Sequence, residues 1–491
     1  MKSRVVAALF ILVVALFSSV PASQGEEVGA EMLVAHATWD NAPVYLPLAM
    51  QDYPLPTNMG VEMFSITTGR GGLQWVLETN TRWVRRNGLL WSKVESTPGV
   101  YDWSQVATLE QELINASNHN LLVILIVRST PQWAQESPGY SCGRIKNEAL
   151  PAFGEFLYQA VKRYSVPPYN VKYWQIWNEP DAPIMPGFEI QDSFYGCWGN
   201  PNEPFYGGGY YAEVLKTVYP RIKEADANAK VILGGLLLSC NPNLEACGGN
   251  PNGLYFEGIL KGEGGEYFDM LGYHSYDYYF WNPSGDSLGK FGNSGWGSRW
   301  SGEVAPVMKA RYLRSLMEHY GITKPLIASE IALTCGFTGF ETACQDPTYE
   351  ITKAYYVAQS FAATLAEGIE ASIWYSLNAS WGGTELANKD GTTRPAYDAY
   401  KVVKAKLDGA TFVGHLRDQY EGLNGFEFVR HKRRIWLAWS AREENYNPLP
   451  VTIQLPSPPL SISDVFGNPV ENSGNELTVS VAPLYLEWQI P

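Results

Sequence analysis

The predicted fold class is α/β: a (β/α)8 TIM barrel over residues 59–405 followed by an all-β sandwich over 406–491. Short runs rich in Val, Ile, Leu and aromatics alternate with longer segments of helical period, the pattern of parallel βα units. Helical period stops near Asp408 and short alternating stretches take over. No Gly-x-Gly-x-x-Gly follows the first run, because Gly69, Gly71 and Gly72 have the wrong spacing, so the competing doubly wound sheet has little support.

Ahead of the barrel, Met1, Lys2, Ser3 and Arg4 precede an apolar run at 5–17 and then Ser18, Ser19, Val20, Pro21 and Ala22. A basic start, an apolar stretch too short for a comfortable span and small residues at its end predict a signal peptide over 1–22 and export; an uncleaved anchor is the competing reading. Residues 23–58 hold several Pro and lack periodicity, a lead-in segment with no assigned role.

The eight strands are placed at 61–66, 82–85, 121–127, 173–177, 231–237, 270–273, 325–328 and 371–375. Several are nearly continuous apolar runs, as expected of strands covered on both faces. Helical period marks 103–117, 150–164, 210–225, 304–320, 349–367 and 396–407. In the C-terminal domain the stretches 434–440, 451–455 and 477–481 alternate like strands, with Phe466-Gly467-Asn468-Pro469 as a turn.

Composition narrows the function classes. A formal charge of -14 argues against nucleic acid or anionic membrane as a partner, since both demand a cationic surface. The 17 Trp and 30 Tyr exceed what cores need and suit a ligand with flat apolar faces, such as a sugar. Six Cys in an exported chain favour disulfides over metal ligands. Cys240 with Cys247 and Cys335 with Cys344 are close in sequence, which leaves Cys142 with Cys197; free thiols are the alternative. No Cys-x-x-Cys occurs and the His are scattered, so neither metal nor organic cofactor is expected.

In a barrel of this kind catalytic groups sit at the C-terminal ends of strands, which directs attention to polar residues immediately after each apolar run. The fourth run ends Trp177-Asn178-Glu179-Pro180 and the seventh Ala328-Ser329-Glu330-Ile331. Cleavage of a glycosidic bond with retention needs one carboxyl to protonate the leaving oxygen and another, about 5 to 5.5 Å away, to attack the anomeric carbon. Asp181 and Glu341 are the other candidate acids, but neither ends a strand.

Trp-Asn-Glu-Pro at the fourth strand with a lone Glu ending the seventh resembles clan A of the glycoside hydrolases, the 4/7 superfamily. The resemblance implies that Glu179 is the acid/base, Glu330 the nucleophile and Asn178 the partner of the sugar 2-hydroxyl. The stretch Val84-Arg85-Arg86-Asn87, with Trp91 to Glu95 and Gly99 to Trp103, is similar to families 39 and 42, as Thr130 to Ala134 is to family 39; a likeness to family 5 is more distant. Arg85 then matches the strand-two Arg, a cation beside the nucleophile that lowers its pKa. Family 39 has a His two residues further on, where this chain has Asn87. By the same resemblance His274 and Tyr276, on one side of the sixth strand, contact the carboxylates, and Trp374 floors the subsite of the reacting sugar.

These residues have plainer readings too. Arg85 pairs with a structural carboxylate, or Arg86 takes its role; His274 is a core histidine; Trp374 only packs. The segment after strand six, with Tyr278, Tyr279, Phe280, Trp281, Trp296 and Trp300, is a sugar-stacking lid or a hydrophobic flap. The expectation is a secreted retaining hydrolase of β-linked oligo- or polysaccharides. A non-catalytic carbohydrate-binding barrel, the alternative, predicts a missing carboxylate, and a serine esterase predicts a Gly-x-Ser-x-Gly elbow that the chain lacks.

Overall fold

The computed structural model describes residues 57–184, 195–282, 286–336, 342–379, 381–472 and 474–490, with the backbone of two short paired strands, Ala37–Trp39 and Ala42–Val44. The expected signal peptide at 1–22, most of the lead-in at 23–58 and the candidate acid Glu341 lie outside the described residues. The chain divides into Met1–Leu55 and a second compact unit, Pro56–Pro491.

The second unit begins with eight strands, each followed by a main helix. They are β1 (Met59–Glu62), α1 (Leu73–Glu78), β2 (Trp83–Leu90), α2 (Ala107–Asn118), β3 (Leu122–Arg128), α3 (Leu150–Tyr164), β4 (Tyr173–Ile176) and α4 (Gly208–Ala225). Then come β5 (Lys230–Leu233), α5 (Tyr255–Lys261), β6 (Leu271–Tyr279), α6 (Ala305–His319), β7 (Leu326–Thr334), α7 (Pro347–Ala366), β8 (Ala371–Trp374) and α8 (Pro395–Leu407). All adjacent strands pair parallel in the order β6-β7-β8-β1-β2-β3-β4-β5. Parallel bridges Ile232–Met270 and Leu236–Tyr273 join the two ends, with His274 N donating to Leu236 O at 2.8 Å. This topology fits a TIM barrel.

The period of two sorts each strand. Trp83, Ile124, Ile232, Met270, Ile327, Ala371 and Ile373 make a core of their own on one face of the sheet, while the alternate residues Val84, Val123, Val231, Leu271, Ala328 and Trp374 belong to the larger cluster shared with the helices. Further along the strands the inward positions turn polar: Arg85 on β2, Gln175 on β4 and His274 on β6, all buried.

β6 runs further than the sequence suggests, because the short strands Phe291–Asn293 and Ser298–Arg299 extend the sheet beside it. Trp296 and Trp300 are consequently buried, as the flap reading of this segment expects; Phe280 and Trp281 keep exposed rings.

The C-terminal part is antiparallel. Its sheet runs β9 (Thr411–His415), β10 (Leu423–Arg430), β11 (Arg433–Ser440), β15 (Leu484–Gln489) and β13 (Ser461–Asp464), and a second layer pairs β12 (Val451–Gln454) with β14 (Glu476–Val479). Trp436, Ala438, Leu486 and Trp488 face that second layer, whereas Ile435, Leu437, Trp439 and Tyr485 join the large cluster of the barrel helices. Burial on both faces gives β11 its nearly unbroken apolar run. The three expected disulfides are present: Cys142–Cys197, Cys240–Cys247 and Cys335–Cys344. They fit a protein of an oxidising, extracellular setting. Among the described residues no helix is long and apolar enough to cross a membrane.

Candidate active site

Two departures from regular strand geometry bring Glu179 and Glu330 to one place. After β4 the backbone enters the left-handed region at Trp177 (φ 74) and Glu179 (φ 47), a conformation that costs a non-glycine residue about 1 kcal/mol or more. Hydrogen bonds from Trp177 N to Val127 O (2.8 Å) and from Glu179 N to Gly234 O (2.9 Å) hold it there. On β7, Ala328 is opposite Tyr273 but Glu330 is opposite His274, so Ser329 is an extra residue, a β-bulge. Without it, alternation from the inward Ile327 would turn Glu330 toward the helices; with it, the carboxylate faces the barrel axis.

Arg85 is the hub between them. Its Nη1 donates to both Glu62 and Glu330, its Nη2 to Asn178 Oδ1, and its Nε to Gln175 Oε1 at 3.1 Å. Nη2 also lies 3.2 Å from His274 Nε2. A guanidinium has five N–H groups and no acceptor, so all five are used, and Nε2 of His274 must accept. The imidazole proton is therefore on Nδ1, which donates to Glu179 Oε1 at 2.7 Å and lies 3.3 Å from Glu330 Oε2. That Oε2 also accepts from the Tyr276 hydroxyl. Carboxylate oxygens of Glu179 and Glu330 come within 4.8 Å of each other.

Burial sets the protonation states. Glu179, whose side chain is 16% exposed, has its pKa pushed up to about 7 by burial, against the pull of the Arg85 and Lys309 charges. Burial is the leading cause. His274 is held down to about 3, first by burial, so it stays neutral. Its position depends on Gly235, in the left-handed region at φ 60, where a Cβ would lie 2.3 Å from His274 Nε2. Lys309 of α6 supports the same strand from outside, donating to His274 O and Leu237 O at 2.7 Å each.

Arg85, Asn178, Glu179, His274, Tyr276 and Glu330 are thus together. Trp374 is not. It is buried on the helix side of β8 against Tyr356 and Phe361, and its Nε1 donates to Thr384 O at 2.9 Å, which corrects its expected place on the floor of the site. The next residue, Tyr375, has the inward place, with its ring 6.2 Å from Tyr276. Arg86 faces outward to Glu112 at 2.6 Å, which leaves the site to Arg85. Asp181 is spent on the backbone N–H groups of Leu237 and Leu238.

Sequence reasoning missed Glu62, Gln175, Tyr375 and Trp381. Glu62 ends β1, buried, and burial and the charge of Glu330 push its pKa up to about 8 against the pull of Arg85. Its signal was the rule used elsewhere, a polar residue at a strand end, hidden because the first run was drawn through it.

Glu179, His274 and Glu330 also have the spacing of a metal-ligand set. Their chemistry does not suit one: His274 Nδ1 carries its proton, and the Arg85 guanidinium is already bonded to Glu330.

No protein-family model matches the sequence, and no curated protein matches it. Among solved structures the fold is similar to that of a family 39 glycoside hydrolase from the gut symbiont Bacteroides cellulosilyticus, with a TM-score of 0.63 and 19% identity over 89% of this chain and 81% of that one. It is also similar to a family 30 endoxylanase from Clostridium papyrosolvens (TM-score 0.55, 12% identity, 89% and 97% covered). A conserved exported protein from Bacteroides fragilis is a third (TM-score 0.58, 12% identity, 89% and 98% covered). Identities this low establish likeness of fold.

Proposed function

We propose that this chain is a secreted hydrolase of β-linked oligo- or polysaccharides, built on a closed (β/α)8 barrel, that works with retention of configuration. Glu179 is its acid/base and Glu330 its nucleophile. The observation that supports this best is that a carboxylate oxygen of Glu179, just after β4, and one of Glu330, within β7, lie no more than 4.8 Å apart, which suits the close pair of a double displacement better than the gap of about 6.5–9.5 Å that leaves room for a water. The glycosidase neighbours support the reaction class.

In the resting site His274 Nδ1–H occupies Oε1 of Glu179, so the acidic proton sits on Oε2. It passes to the glycosidic oxygen as a Glu330 oxygen bonds to the anomeric carbon and the glycosidic C–O bond breaks, so that the leaving group departs as an alcohol. Glu330 loses its charge in the ester, and Glu62 keeps its hold on Arg85 Nη1, so the guanidinium does not swing away. Glu179, now a carboxylate stabilised by His274, takes a proton from water, and the water oxygen displaces Glu330. Asn178 turns its Oδ1 to Arg85, which directs its amide N–H groups to the sugar 2-hydroxyl. A non-catalytic sugar-binding barrel has no use for a half-buried acid held near pKa 7 beside a second carboxylate.

The test is the anomer first formed. Aryl β-xylosides, β-glucosides, β-mannosides and β-galactosides are followed by proton NMR; the substrate that is cleaved should release the β-sugar before mutarotation. Initial release of the α-sugar would refute retention.

A further inference from the structure

Trp177 and Glu179 stand in the left-handed region, a conformation that persists only where the surroundings over-determine it. Gln175 supplies one hold, its Nε2 donating to Trp177 O at 3.0 Å. Another comes from a strap that the hydrolytic scheme leaves without a task. Residues 196–199 run beside residues 178–182, and their N–H groups reach every second carbonyl of that turn: Gly196 donates to Asn178 O at 2.5 Å, Trp198 to Pro180 O at 2.9 Å and Gly199 to Ala182 O at 3.0 Å. Glu179 is bracketed on both sides. The Trp198 ring packs against that of Trp177 at 4.4 Å. A Cβ on Gly196 would fall 2.7 Å from Trp177 Cδ1 and 2.8 Å from Pro180 Cα, and one on Gly199 would fall 2.4 Å from Asp181 O, so the strap lies directly on the turn.

The strap is fastened in turn to the end of β3. Cys197, in its middle, is bonded to Cys142, 55 residues earlier in the chain, and both are buried. The loop that carries Cys142 is gripped where β3 ends, since Thr130 N donates to Ser141 O and Thr130 Oγ1 to Gly143 O, each at 2.8 Å. Cys197 N donates to Cys142 O at 3.2 Å, and Arg144 donates to Trp198 O from Nε (3.1 Å) and Nη2 (2.8 Å). Hydrogen bonds of a loop open and close locally, whereas a covalent joint stays closed while they do. The S–S bond is the one covalent joint in this set.

We infer that Cys142 and Cys197 are positioning residues for the acid/base: their disulfide presses the strap onto the turn and so fixes where the Glu179 carboxyl meets the leaving oxygen. The inference rests on the glycosidase reading and divides its labour. Glu330 is placed by other means, the β7 bulge and the hydrogen bonds from Arg85 and Tyr276. A proton donor displaced by about 1 Å loses about 100-fold in rate, and only a leaving group that needs the proton feels it.

Leaving groups therefore separate the two carboxylates. Aryl β-glycosides of the sugar that the wild type cleaves, graded from 2,4-dinitrophenyl to phenyl, are compared in wild type and in Cys142→Ala/Cys197→Ala, with Cys240→Ala/Cys247→Ala as the control for losing a disulfide elsewhere; melting curves report that each is folded. Loss of the Cys142–Cys197 bond should lower kcat/KM for the phenyl glycoside about 10- to 100-fold. The dinitrophenyl glycoside, whose phenolate departs unprotonated, should be unaffected, and labelling of Glu330 by a 2-fluoroglycosyl fluoride should keep its wild-type rate. The control should keep the wild-type ratio between the two substrates. Gly196→Ala, which retains the disulfide but pushes the strap off the turn, should reproduce the split, and it decides the matter if the double variant does not fold. Equal loss on both substrates, or no loss on either, in a folded variant overturns the inference and leaves the hydrolase reading standing; if wild-type protein hydrolyses none of the glycosides and takes no label, both fall.

Discussion

Replacing Glu179 by Gln should make the folded protein more stable at alkaline pH and leave it unchanged in acid. Burial raises the carboxyl from 4.5 to about 7, so the folded chain holds this proton more tightly than the unfolded chain does. Below pH 4.5 both states are protonated and the group contributes nothing. As pH rises from 4.5 to 7 the unfolded state ionises first and stability falls; above 7 the whole penalty is in force. The difference between those two pKa values corresponds to roughly 3 kcal/mol. Gln keeps the acceptor for His274 Nδ1–H and removes the charge. For a chain of this size such a gain is about 3 °C in Tm. Asp181 and Glu62, raised to about 7 and about 8, titrate in the same window, so the assay is the difference between variant and wild type, by thermal or urea unfolding at pH 5 and pH 9. A difference that is the same at both pH values, or a variant less stable in alkali, would refute the burial argument.

Glu62→Ala should lower kcat by about 10- to 100-fold with KM little changed, because Arg85 then turns a second N–H to Glu330, and Glu62→Gln, which keeps an acceptor, should recover most of it; equal loss in both variants would point to charge rather than position. Gly235→Ala forces a Cβ against His274 at a positive φ and should cost about 1–3 kcal/mol, read as a drop in Tm together with lost activity; an unperturbed Tm would show that the ring has room to move. The alkaline limb of kcat/KM should fall near pH 7, where Glu179 loses its proton, and should vanish in Glu179→Gln acting on substrates whose leaving groups need no acid; a limb that persists belongs to another group.

The alternating units were legible because each buried strand is an apolar run, and the polar residue that ends it is where chemistry can reach solvent; Glu179 and Glu330 were chosen that way, whereas Arg85 and His274 were assigned by likeness to a family pattern. What stayed hidden is local geometry. Nothing in Ala328-Ser329-Glu330 announces the bulge, and strict alternation would have turned Glu330 out of the site. Trp374 was assigned by likeness to a motif, whereas counting outward from the buried Ile373 puts Tyr375 on the inner face. The aromatic segment after β6 reads the same whether exposed or packed, and two added strands decide that Trp296 and Trp300 are core.

Glu330 becoming covalently bonded to sugar is the step on which the proposed mechanism depends. Wild-type protein incubated with 2-deoxy-2-fluoro-β-xylosyl and -glucosyl fluorides, then digested and analysed by mass spectrometry, should carry one fluoroglycosyl group on the peptide holding Glu330, while Glu330→Gln carries none. A label on any other residue, or turnover of an aryl β-glycoside at the wild-type rate by Glu330→Gln, would contradict it.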